Sequence, residues 1–111
     1  MSEGKKNDAG KLRFDLVPFE QFQQVVAVLT HGANEYSPNN WQQVPGARDR
    51  YAAALFRHAT DYMTGKKADS DSGLPTLAHV VCNALFLMWF DDKEGRSLNG
   101  EFSQIMQNHG H

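Results

Sequence analysis

Between Leu77 and Phe90 apolar side chains occupy almost every azimuth of a helix: Val80, Val81, Ala84, Leu85, Phe86, Leu87, Met88 and Trp89 fill the interval. A helix that is hydrophobic all round has to be covered all round. This segment, predicted helical over 74–90 and opened by Pro75, is therefore the central helix, a subunit interface, or both. Only His79 and Asn83 interrupt it, four residues apart and so on one row. Left unpaired in such surroundings each would cost about 1–3 kcal/mol, so each is expected to have a specific partner.

A second segment offers a matching row. Over 48–64, ended by Gly65, the run Arg57, His58, Ala59, Thr60, Asp61 sets a cation, an imidazole and a carboxylate within an apolar stretch. Helical spacing projects Arg57, His58 and Asp61 from one surface, and Tyr51, Leu55, Ala59 and Tyr62 form a core-facing stripe on the other. The expectation is that the two polar rows face each other across a pocket.

A third helix is predicted from Pro18 to Gly32, with Phe19, Phe22, Val25, Val26 and Leu29 at the helical period. Its end brings His31 close to Glu35, where a histidine is also favoured simply by the helix dipole. Upstream, residues 1–10 are small and polar and read as a flexible arm. Lys11 to Leu16 alternate charged and apolar residues as an extended strand does, with Lys11 and Arg13 on one side, either solvated or paired with another subunit.

The connection 32–47 is rich in turn formers and long for a helix linker. It carries Tyr36 and Trp41, which either plug the core or offer a flat face on which a base stacks. The linker 66–73 holds Asp69 and Asp71, spaced like ligands of a hard cation, or else capping the next helix. Leu98, Phe102 and Ile105 recur at helical spacing, giving a short C-terminal helix and tail over 96–111. The chain is thus expected to be all-α: three main helices and a short fourth, with a helical domain at 11–95.

Twelve aromatics (7 Phe, 2 Trp, 3 Tyr) among 111 residues exceed what three helices can cover, which points to a homo-oligomeric bundle, a dimer or higher. A net charge of −2 argues against duplex nucleic acid, whose binding needs dense positive charge, and leaves a small nucleotide as the nucleic-acid-like ligand. No apolar run is long enough to cross a membrane and no signal peptide opens the chain, so a cytoplasmic location is expected. Cys82, within the most apolar run, reads as an inert buried thiol. Zinc motifs, a phosphate-binding glycine loop and a nucleophile elbow are all missing.

The order of residues resembles one family. Gly10, Lys11, Arg13, Asp15, Leu16 and Pro18, then Gly32, Ala33, Tyr36, Asn40 and Trp41, match the phage dATP/dGTP diphosphohydrolase N-terminal domain family. So do Tyr51, Ala54, Arg57, His58, Gly65 and Asp69, and then Ser72, Gly73, Leu74, Pro75, Leu77, Ala78, His79 and Asn83. Its members are mostly phage-encoded and similar to the all-α, MazG-like nucleoside triphosphate pyrophosphohydrolases, oligomeric bundles that use Mg²⁺ to split a nucleotide between its α and β phosphates.

The resemblance implies Mg²⁺ on Asp61, Asp69 and Glu35, and phosphates on Arg57, Lys11 and Arg13. It further implies base or sugar contacts from Trp41, Tyr36 and Asn83, with His58 and His79 orienting ligands or the attacking water. Two departures stand out: the helical ExxE and ExxD acid pairs of the pyrophosphohydrolases are missing from the three helices, and Thr76 stands where a histidine is expected before Leu77. Three readings follow: a Mg²⁺-dependent hydrolase of dGTP/dATP-type substrates, a non-catalytic sponge that sequesters a small or cyclic nucleotide signal of host defence, and a structural bundle.

Overall fold

The computed structural model describes residues 4–95. Three helices carry the fold: α1 (Phe19–Glu35), α2 (Ala47–Met63) and α3 (Thr76–Lys93). The expected C-terminal helix over 96–111 lies outside the described residues.

Helices α2 and α3 form an antiparallel pair tied at both ends. At one end the Arg48 guanidinium bonds Asp91 and reaches both oxygens of Glu94, at 3.1 and 3.0 Å. At the other, Thr76 is only 1% exposed. Its hydroxyl donates to the Lys66 carbonyl at 2.8 Å and its N–H to that of Lys67 at 2.9 Å. Between these ties Tyr51 meets Phe86 at 5.0 Å, and His58 stacks on His79 at 4.8 Å. The packing face of α2 is Ala47, Tyr51, Ala54 and His58, spaced four, three and four. His58 therefore belongs to the buried stripe, not to a polar surface opposite it, and the two imidazoles touch directly instead of facing across a pocket.

Helix α1 crosses α3 through a small cluster of Val25, Val28, Ala78 and Cys82. The Cys82 thiol points at the Val25 carbonyl, 3.4 Å away, and burial pushes its pKa up to about 11, which makes it the inert thiol expected. Gly32, expected to end α1, lies inside it; the helix stops at Glu35, ahead of Ser37 and Pro38, where the proline ring disfavours helical backbone in the residue before it.

The expected strand at Lys11–Leu16 is replaced by a 3-10 turn at Phe14–Leu16. Arg13 doubles back onto Asp15, with contacts of 2.6 and 3.2 Å, a pairing of side chains two apart that an extended strand would send along one face without closing a turn. In the long connection, Asn39 takes a left-handed φ of 62° and leads into a second 3-10 turn, Asn40–Gln43. Trp41 anchors it: the indole stacks on Phe86 at 4.3 Å and meets Trp89 and Phe90 edge-on at 5.2 and 6.0 Å. These contacts fit the plug foreseen for this indole, and the indole also lines a cleft over the α2–α3 pair.

Among the described residues, helix α3 is not covered all round. Leu77, Val81, Leu85 and Met88 form an exposed row along it, and Phe19, Phe22 and Val26 form another along α1.

The Thr76 tie is testable by itself. Thr76→Val keeps the shape and leaves the Lys66 carbonyl without its donor; it is expected to lower unfolding stability by about 1–3 kcal/mol in urea melts. An unchanged midpoint would remove this hydrogen bond from the account of the hairpin.

Candidate functional site

An open cleft of about 1080 Å³ lies where the C-terminal half of α1 and the 37–46 connection lean over the α2–α3 pair. Two ends can be distinguished. One is aromatic, walled by Trp41, Tyr51 and Phe86, with Tyr36 on the same lining; burial raises the Tyr51 pKa, Arg50 opposes the shift and Tyr36 adds to it. The other is lined by His31, Arg57, His58, His79 and Asn83.

The histidine end is a connected polar cluster. His58 and His79 stack with an interplanar angle of 22°. Burial pushes both imidazoles below their ordinary pKa of 6.5, with Asp69 opposing the shift in each case. Beneath them the connection 64–75 folds back on itself: Gly65 and Gly73 take φ of 101° and 73°, which only glycine adopts without strain, and Asp69 N–H bonds the Leu74 carbonyl at 2.8 Å. The turn delivers Ser72 Oγ to within 2.7 Å of His79 Nε2. Asn83 donates to the His79 carbonyl at 2.8 Å, which is the partner its burial demands.

The residues implied by the resemblance separate into two groups. Seven of them line the cleft: Glu35, Tyr36 and Trp41 from α1 and the connection, Arg57 and His58 from α2, His79 and Asn83 from α3. Four do not. Lys11 and Arg13 are exposed near the N-terminus, where Arg13 is engaged by Asp15. Asp61 points toward Lys66, 4.0 Å away, and Asp69 sits behind the histidines.

Consequently the carboxylates implied for Mg²⁺ do not converge. Glu35 faces His31 at 3.9 Å on α1, Asp61 is drawn to Lys66, and Asp69 is turned inward by backbone N–H groups. Among the described residues no three His, Cys, Asp or Glu side chains cluster as cation ligands, so the donor set of one chain does not fit the ion.

Two contributors escaped the sequence reading. Arg50 lines the cleft one heptad before Arg57, with Ala54 between them on the same face; that spacing was visible in the sequence and is its signal. Its guanidinium reaches the Pro45 carbonyl at a long 3.5 Å. Ser72 had only a weak signal, because no periodicity crosses a turn and its distance from His79 is set by the two glycines.

The family described as dATP/dGTP diphosphohydrolase, N-terminal, matches residues 1–99. No curated protein and no solved structure matches the chain. Among the described residues no helix is long and apolar enough to cross a membrane.

The histidine pair makes stability depend on pH. Since the folded chain takes up these protons less readily than the unfolded one, unfolding gains on folding as pH drops below about 6.5. Melts between pH 7.5 and 5.5 are expected to shift to lower temperature, and the double variant His58→Gln, His79→Gln is expected to flatten that slope. An equal slope in the variant would assign the dependence to other groups.

Proposed function

The chain belongs to the dATP/dGTP diphosphohydrolase N-terminal family, and from that premise we propose that its cleft binds a purine deoxynucleoside triphosphate and cleaves it to the monophosphate and pyrophosphate. The observation that carries this reading is the polarity of the cleft. A flat apolar wall suits a base at one end, and at the other the Arg57 guanidinium, which has no ion pair among the described residues, suits phosphate. From Tyr51 to His58 the wall runs roughly 10 Å along α2, room for a base and a sugar.

Within that arrangement the buried, neutral His58 is the group to accept a proton. Water attacks the α-phosphorus, the His58 imidazole takes the proton the water loses, the bond from the α-phosphorus to its bridging oxygen breaks, and pyrophosphate leaves with the electron pair. Arg57 neutralises charge on the phosphates. Self-association of the chain belongs to the same proposal. Large apolar groups such as Phe14 (77% exposed), Phe19 (72%) and Met88 (61%) support a homo-oligomer that buries the rows on α1 and α3.

A second reading keeps the same cleft and omits the chemistry: the chain holds an intact nucleotide, cyclic signals of phage defence included. The scattered carboxylates favour it.

Incubation with dGTP, dATP and a set of cyclic nucleotides, with and without Mg²⁺, separates the two when products are identified before and after heat denaturation. Pyrophosphate release is expected; recovery of unaltered ligand from the denatured complex would make the protein a binder instead. Arg57→Ala is expected to weaken nucleotide affinity about tenfold in titration calorimetry, the loss of one charge-assisted contact. An unchanged affinity would move the phosphates elsewhere.

A further inference from the structure

The two oxygens of Asp69 are used differently. Oδ2 accepts the backbone N–H groups of Asp71 and Ser72 at 3.1 and 2.9 Å, which fixes the carboxylate in its turn. Oδ1 faces His58 Nδ1 at 4.0 Å. That nitrogen is in turn the buried side-chain polar atom left without a partner among the described residues, in a residue 9% exposed. A buried nitrogen without a partner thus stands opposite a carboxylate oxygen, about 1 Å beyond bonding distance.

We propose that Asp69 is a positioning residue: its Oδ1 receives the Nδ1–H of His58, fixes that tautomer, and leaves the Nε2 lone pair facing the cleft as the base for the attacking water. The surroundings are built to hold this geometry. His79 lies flat against His58 at 4.8 Å and blocks the ring from swinging toward α3. His79 is itself held by Ser72 Oγ at 2.7 Å, and that hydroxyl also accepts the Leu74 N–H at 3.1 Å. A hydroxyl has two lone pairs and one proton, so it serves Leu74 and His79 together and still has capacity for Asp69. When Nε2 takes the water's proton, the imidazolium that forms is stabilised by the carboxylate behind it, whose own proton affinity burial raises but the Ser72 N–H and the adjacent histidines bring low overall. In this proposal Asp69 acts through His58, a role different from the Mg²⁺ ligation the family resemblance implies.

This inference draws its purpose from the proposed hydrolysis, but its geometry can be tested without any nucleotide. In the ligand-free protein labelled with ¹⁵N-histidine, NMR at neutral pH is expected to show His58 as the Nδ1–H tautomer. In Asp69→Asn, which keeps the shape of the turn residue, that preference is expected to be lost. A wild-type His58 in the Nε2–H form overturns the proposal without recourse to any variant, as does an unchanged tautomer in a folded Asp69→Asn. In turnover with dGTP or dATP, Asp69→Asn is expected to lower kcat by roughly a hundredfold and to leave KM within about twofold. A raised KM at constant kcat would make Asp69 a binding group and overturn the assignment. Failure of the wild-type protein to release pyrophosphate, with the Nδ1–H tautomer still present, would sink the hydrolase reading and leave the dyad standing.

Discussion

The register of α2 against α3 is the constraint from which the site follows. Slide one helix by a turn and His58 leaves His79, Tyr51 leaves Phe86, and the cleft loses both of its ends. The register is held by unlike devices. Arg48 straddles the last turn of α3 through two carboxylates in contact with water, where ion pairs contribute modestly. Thr76 closes the other end from within the protein, where a hydroxyl without its acceptor is costly. The buried end is the stronger clamp, and it is the end nearest the histidines.

Most of the architecture was legible in the residues because helical periodicity is a local signal. Proline, glycine and the apolar rows place all three helices to within a few residues of their observed bounds, and Gly65 ends α2 as read. The misreadings have physical reasons. Alternation at Lys11–Leu16 looks like a strand until Arg13 closes on Asp15, a contact that hydropathy does not register. His58 was read as facing the His79 row across a pocket, whereas the two rings stack directly and His58 is buried between the helices.

For the candidate site, residue identity was more legible than role. His58, His79, Arg57 and Asn83 lie at one end of a single cleft, because each sits on a helix whose rows can be read. Asp69 was legible as a noteworthy carboxylate but not as one turned inward. Its direction is set by the N–H groups of Asp71 and Ser72 and by left-handed backbone at Gly73, features that exist only once the turn has folded. Ser72 belongs to the same class of residue, invisible to periodicity and fixed by a turn.

The connection over the aromatic end is attached to the helices chiefly through Trp41, and its remaining residues take part in no ladder. Lengthening or trimming it on either side of that indole would reshape the roof while sparing the floor and the histidines. One scaffold can thereby be re-cut for bulkier or slimmer guests by insertions alone, with selectivity drifting faster than the frame beneath it.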